Sequence, residues 1–261
     1  MMEHLCRMDE ERTVIMVQVE NESGIFKSDR CYCPACNRVF EDEQWTAKHG
    51  VHAAEAFTVA AFARYIDSLA GEARSVYALP MYVNVCLDQP VGGIPGDYPT
   101  GGAVPPVLAQ YRAQCAHIDC IAPDIYSSGY RDFQRLCRIY SADGNPLYVA
   151  EHSSCGQGRA ERNVFYAIGQ FGAIGFDPWA IDSPFPYRDG PPLVDPVGGE
   201  WAPQAYLLRD SYVPISRAMH PIAEAQGTPR IFTVVQETME YGTGWEAEGC
   251  DVMVWYTARE G

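Results

Sequence analysis

Two apolar segments of the chain each end at a carboxylate, and this pairing is the feature from which a chemistry can be argued. Residues 14–19 are followed by Glu20, Asn21 and Glu22, and residues 145–150 are followed by Glu151. An apolar, β-branched run that breaks into polar residues predicts a buried parallel strand that delivers one acid at its carboxyl end. Two acids delivered in this way to one pocket are the groups that glycosidic bond cleavage requires.

Of the two acids in the first segment, Glu22 lies past the strand end and is better placed than Glu20 to enter a pocket. Asn21 beside it can donate a hydrogen bond to a sugar hydroxyl. In a retaining glycosidase the two carboxyls lie about 5 Å apart, one acting as nucleophile and the other as acid and then base. The alternative is that Glu20, Glu22 and Glu151 are solvated strand-end residues or members of a salt-bridge network. The pattern alone does not decide between these two interpretations.

The elements that must position these acids alternate between strand and helix. Five such alternations predict a parallel sheet with right-handed crossovers. No Gly-x-Gly-x-x-Gly or Walker-type loop follows any strand, which favours a barrel over a nucleotide-binding doubly wound sheet. Residues 20–50 are predicted to be a long polar loop. The predicted strands are 13–19, 78–87, 118–125, 147–150 and 173–176, and the predicted helices are 53–70, 104–117, 130–140, 159–171 and 203–226.

The size and charge of the chain narrow the classes of partner. Its 261 residues match one (β/α)₈ barrel, for which about 250 residues is typical. The net charge of −15 repels phosphate backbones, so we expect no nucleic-acid partner. No apolar run is long enough to span a bilayer and residues 1–12 contain no secretory signal, so we expect no membrane partner. The sequence does not decide the cellular compartment, and a longer enzyme could be secreted or periplasmic. A homo-oligomer is also compatible with the sequence.

Ten cysteines are many for this length, and most lie singly in apolar segments. Cys31, Cys33 and Cys36 are the exception, because three thiolates with a nearby histidine could hold zinc. No second Cys-x-x-Cys or histidine pair follows at the spacing of a zinc finger. We therefore expect neither a metal nor any other cofactor.

Residues 17–24, Val-Gln-Val-Glu-Asn-Glu-Ser-Gly, resemble the acid/base motif of glycoside hydrolase family 35, the β-galactosidases. Residues 145–151 resemble the motif that carries the nucleophile in the same family. Segments 98–102, 118–126 and 173–179 resemble, in the right order, a bacterial branch with a distinctive C-terminal β-domain. The resemblance covers nearly the whole chain.

The resemblance implies a role for several residues. Glu22 would be the acid/base, Glu151 the nucleophile and Asn21 a ligand of the sugar. Tyr126 would hydrogen-bond the nucleophile, and Trp179 would form the floor of the sugar site. Asn84, in the predicted strand 78–87, is a further candidate to face the sugar.

The resemblance also implies a fold and an activity. Residues 1–228 would form an incomplete (β/α)₈ TIM barrel comprising about strands four to eight, and residues 229–261 would begin a β-rich module. We therefore expect an internal fragment of a longer enzyme, a retaining hydrolase of terminal β-galactosides whose partner is a carbohydrate. The alternatives are a catalytically inactive carbohydrate-binding barrel, or a related glycosidase of other specificity such as an arabinosidase or a glucosidase.

Overall fold

The computed structural model describes residues 1–87, 93–127, 129–153, 159–179, 181, 203–236, 242–247 and 249–255. The chain divides into two compact units. The first comprises Met1–Tyr126 and Ile139–Glu151, and the second comprises Ser127–Arg138 and His152–Gly261.

A five-stranded sheet is the central feature of the fold, with its strands in chain order β1-β2-β3-β4-β5. β1 pairs with β2 and β2 pairs with β3, both in parallel. Every residue of β3 is buried, as expected for a parallel strand with both faces covered. The strands are β1 Val17–Gln18, β2 Met81–Cys86, β3 Cys120–Ile125, β4 Tyr148–His152 and β5 Gly175–Pro178.

Helices follow the strands, so the class is α/β, and the arrangement is consistent with an incomplete α/β barrel. The longest helix, α4, packs its alanine-rich face and Phe57 inward, and the last two helices of the described part follow β5. The helices are α1 Met2–Met8, α2 Pro34–Asp42, α3 Trp45–His49, α4 Ala53–Val76, α5 Leu108–Arg112, α6 Tyr130–Tyr140, α7 Ala160–Phe165, α8 Pro203–Arg217 and α9 Met219–Ala225.

Several helices differ from the sequence-based expectation. The predicted loop 20–50 contains α2 and α3, whose apolar faces are short: Cys36 and Phe40 of α2 are only partly buried, and Trp45 is the buried residue of α3. The predicted helix 104–117 is a 3₁₀ turn, Pro105–Val107, followed by the short α5. The predicted helix 203–226 divides into α8 and α9.

The second unit ends, within its described part, in an antiparallel hairpin of β6 Gly242–Ala247 and β7 Cys250–Trp255. Within the expected β-rich module 229–261, residues 231–235 are not in a strand. β6 and β7 are the strands that the described part of this segment contains. Among the described helices, none is long and apolar enough to cross a membrane.

Candidate active site

Glu22 leaves the sheet on a sharply turned backbone. β1 is short, and the hydrogen bond from the Val19 N–H to the Tyr82 carbonyl, at 2.8 Å, is the last that ties it to β2 before the turn. Glu20 and Glu22 then adopt φ angles of 60° and 44°, in the left-handed region that non-glycine residues rarely occupy. Such a backbone persists when its surroundings hold it and is concentrated at functional sites. Here the holding group is the side chain of Asn84.

Asn84, in the middle of β2, links the segments that carry acids. Its Oδ1 accepts the backbone N–H of Glu22 at 2.9 Å. Its Nδ2 donates to Asp124 Oδ2 at 2.9 Å and to Asn21 Oδ1 at 3.1 Å, and it lies 3.4 Å from Glu151 Oε1. Because the side chain is 5% exposed, these contacts are made largely out of water, where an unmet partner is costly. Asn84 therefore fixes the positions of the acidic residues around it.

Three carboxyl groups converge at this point. One side-chain oxygen from each of Glu22, Asp124 and Glu151 lies within 4.8 Å of the other two. Parallel register explains the arrangement, because Asp124 in β3 is paired with Cys86 of β2, two residues beyond Asn84 on the same face. All three acids belong to the first unit.

Burial, and then the crowding of negative charge, shifts the pKa values of the groups in the cluster. Burial, and then the charges of Glu151 and Glu22, raise the pKa of Asp124 to about 10. Burial also raises the pKa of Glu151, which the hydrogen bond from Tyr126 lowers and the charge of Glu22 raises. The pKa of the neighbouring Cys86 thiol rises to about 12, through burial and then the charge of Glu22. Both shifts favour the uncharged, protonated forms of Asp124 and Cys86.

The loop that carries Glu22 is held against the loop that follows β2. Ile25 and Thr100 exchange two backbone hydrogen bonds, at 2.9 and 3.0 Å. Gly24 allows this approach, since a Cβ there would lie 2.6 Å from the backbone of Pro99. Residues of two of the sequence motifs, 17–24 and 98–102, thus meet beside the carboxyl cluster.

The structure brings three of the predicted site residues, Tyr126, Asn21 and Asn84, together with Glu22 and Glu151. Tyr126 Oη lies 2.5 Å from Glu151 Oε2, the contact that the resemblance implies. Asn21 is exposed, and its Oδ1 accepts from Gln18 as well as Asn84. Asn84 holds the acids, and its predicted contact with a sugar stays a prediction. Trp179 belongs to the second unit and is 46% exposed, so its role also stays a prediction.

Asp124 and Cys86 are not among the site residues predicted from the sequence. The structure places both beside the two glutamates. A signal was present, because Asp124 is an acid within an otherwise apolar strand that is buried throughout. An acid in such a strand is rare unless it has polar partners.

His152 follows Glu151 in sequence, but its ring is part of the second unit. Nδ1 donates to the Ser153 carbonyl at 2.6 Å, so Nε2 is the acceptor for Asn163 Nδ2 at 2.8 Å. Burial lowers its pKa to about 4, and the ring packs against Phe133 and Phe176. His152 is therefore a neutral packing residue.

Cys31, Cys33 and Cys36 are the described residues best suited to hold a soft metal. Their Sγ atoms lie within 4.8 Å of one another, and three thiolates would leave one position of a tetrahedral zinc site open. Arg30 fixes the loop by stacking on Tyr32 and Phe40, 3.9 and 4.2 Å from the ring centroids. The expectation of no metal remains a prediction.

No family model matches the chain, and no curated protein is significantly similar to it. The functional argument therefore depends on the site itself and on the motifs that carry the resemblance.

Proposed function

We propose that this protein is a retaining glycoside hydrolase that cleaves terminal β-galactosides by double displacement. The observation that carries the proposal is the approach of Glu22 and Glu151, whose closest oxygens lie within 4.8 Å. Retaining enzymes hold their carboxyls about 5–5.5 Å apart, whereas inverting enzymes need about 6.5–9.5 Å to admit a water. The sheet would then be strands four to eight of a (β/α)₈ barrel, whose active sites lie at the carboxyl ends of the strands.

In the first step Glu22 donates its proton to the glycosidic oxygen while a carboxylate oxygen of Glu151 attacks the anomeric carbon. The bond to the leaving group breaks, and a glycosyl ester of Glu151 forms. In the second step Glu22 removes a proton from water, which attacks the same carbon and releases Glu151. Forming the ester removes the negative charge that faces Glu22, which favours its second role as a base.

Tyr126 supports this assignment of roles. Its hydroxyl donates to Glu151 Oε2 at 2.5 Å, which orients the carboxylate and lowers its pKa. A nucleophile must be ionised, and this hydrogen bond opposes the effect of burial and of Glu22. The choice of galactose comes from the motif resemblance alone, and the sugar-binding roles of Asn21 and Trp179 belong to the same proposal.

The proposal is tested by turnover of a nitrophenyl β-galactoside beside a panel of other nitrophenyl glycosides. Glu22→Gln and Glu151→Gln should each reduce kcat by at least about 10³-fold, in line with loss of acid/base or nucleophilic catalysis. Glu20→Gln is the matched control, because Glu20 is exposed and contacts Tyr65 outside the cluster. A 2-deoxy-2-fluoro-galactoside should form a stable ester on the peptide that contains Glu151.

Each alternative gives a different result. Galactose binding without turnover would indicate an inactive carbohydrate-binding protein. Turnover of an arabinoside or a glucoside in place of the galactoside would keep the mechanism and change the substrate. Normal rates in both glutamine variants would show that the assignment of the two acids is wrong.

A further inference from the structure

Asp124 is a carboxyl that the mechanism above does not use, although it lies in the same cluster as the two glutamates. It is 1% exposed, whereas Glu22 and Glu151 are half-buried. In the mechanism above, an ionised Asp124 would face a second negative charge at each stage, that of Glu151 before the ester forms and that of Glu22 after it, within a cluster whose oxygens lie within 4.8 Å of one another. Two like charges in a poorly hydrated site are strongly unfavourable, which favours a proton on Asp124.

Among the three acids, Asp124 is the most deeply buried. Glu151 receives the Tyr126 hydroxyl in addition to its approach to Asn84, and Glu22 is half-buried. Burial, and then the negative charges of Glu151 and Glu22, raise the pKa of Asp124 to about 10. The groups that face it come from four elements, namely Glu22 after β1, Asn84 and Cys86 in β2, Tyr140 in α6 and Glu151 in β4.

The hydrogen bonds of Asp124 fit a neutral acid. Oδ2 accepts from the Asn84 amide at 2.9 Å, which makes Oδ2 the carbonyl oxygen of the acid. The proton then lies on Oδ1, and the Glu22 carboxyl of the same cluster is the group that can accept a hydrogen bond from it. A carboxylic acid in this geometry presents one acceptor and one donor, as an asparagine would.

We propose that Asp124 remains protonated throughout the reaction and positions Glu22 by donating a hydrogen bond to it, so that the cluster carries one negative charge at each stage. The catalytic part of this inference rests on the proposed function, whereas the protonation itself does not. Asp124 is a positioning residue, since it acts on the substrate through Glu22. Its proton stays on Asp124 while Glu22 exchanges protons with the glycosidic oxygen and with water.

The protonation is tested on the purified protein without substrate. The infrared difference spectrum between the unmodified protein and Asp124→Asn at neutral pH should contain the C=O stretching band of a protonated carboxylic acid. The same difference spectrum for Asp143→Asn should lack this band, because Asp143 is an exposed carboxylate. Absence of the band at Asp124, or its loss when a divalent cation is added, would overturn the proposal.

The positioning role is tested with two neutral substitutions. Asp124→Asn keeps the donor and the acceptor, so kcat/KM should stay within about tenfold and its pH profile should keep both limbs. Asp124→Leu removes the donor and should lower kcat by about 10²-fold. If Asp124→Asn loses as much activity as Asp124→Leu, or moves a limb of the profile, an ionised Asp124 is required and the proposal is wrong.

The two proposals fail in distinguishable ways. A protein that shows the carboxylic acid band but hydrolyses no glycoside would contradict the proposed function and support the proton on Asp124. A protein that hydrolyses galactosides but lacks the band would support the function and contradict this inference.

Discussion

The side-chain carbonyl of Asn84 accepts the backbone N–H of Glu22 at 2.9 Å, across 62 residues of sequence. This single bond ties the left-handed turn that carries one acid to a strand that lies between the two acids. The amide of the same side chain reaches Asp124 and lies near Glu151. One buried asparagine therefore couples the backbone of one acid to the side chains of the other two.

Replacing Asn84 by alanine should weaken both folding and catalysis. The variant leaves the Glu22 N–H and the Asp124 carboxyl without their partner in a buried site, which costs about 1–3 kcal/mol in the free energy of unfolding. The rate should fall as well, because Glu22 is no longer held in place. Denaturant unfolding and kcat report the two effects. Gln18→Ala is the control, since Gln18 also donates to Asn21 but near the surface; equal effects of the two variants would contradict the role of Asn84.

Tyr126→Phe removes the hydroxyl that donates to Glu151. This hydrogen bond lowers the pKa of Glu151, so its loss should raise that pKa and move the acidic limb of the kcat/KM profile to higher pH. A hydrogen bond to a charged group contributes about 1.5–3 kcal/mol, which corresponds to a loss of about 10–100-fold in kcat/KM. Tyr65→Phe is the control, since Tyr65 contacts Glu20 outside the cluster. An unmoved limb in Tyr126→Phe would show that Tyr126 does not act on Glu151.

His152 should make the stability of the protein depend on pH. Its pKa in the folded state is about 4, below the ordinary 6.5, so the unfolded chain binds the proton between these values. The stabilisation that depends on the neutral His152 ring is therefore fully present above pH 6.5 and is lost as the pH falls to about 4. This loss lowers the free energy of unfolding by about 3 kcal/mol. Thermal unfolding from pH 7.5 to 4 should show a shallower slope in His152→Gln than in the exposed control His220→Gln. Equal slopes in these two variants would contradict the neutral buried ring.

Cys33 should be the reactive member of its cluster. The Cys36 N–H, and then the Cys31 and Cys36 thiols, lower the pKa of Cys33 to about 7, whereas its neighbours raise the pKa of Cys36 to about 11. After chelator treatment, alkylation of Cys33 should therefore reach half its maximal rate near pH 7, while Cys36 stays unlabelled. Cys33→Ser should abolish this phase of labelling. Protection by added zinc would contradict the expectation that the site binds no metal.

The sequence determined the elements that follow from local pattern. The apolar residues of α6 recur at helical spacing, and its predicted bounds, 130–140, are those of the structure. β2 and β3 each lie within a predicted strand, because β-branched runs mark buried strands without reference to any partner. The same rule placed Glu22 and Glu151 at strand ends, since the change from apolar to polar residues is visible in the sequence.

What the sequence left undecided depends on contacts between distant segments. α2 buries no residue fully, and it is held by the cap at Cys33, by the stacking of Arg30 on Phe40 and by the packing of Phe40 against Phe57. The grouping of Asp124 with the two glutamates depends on the register of β3 against β2 and on the reach of Asn84. Register is fixed by hydrogen bonds and packing between strands that are far apart in the chain, and a shift of one residue would turn Asp124 to the other face. Residue types and strand ends therefore identified the two glutamates, and only the tertiary structure could add the third carboxyl and the asparagine that joins all three.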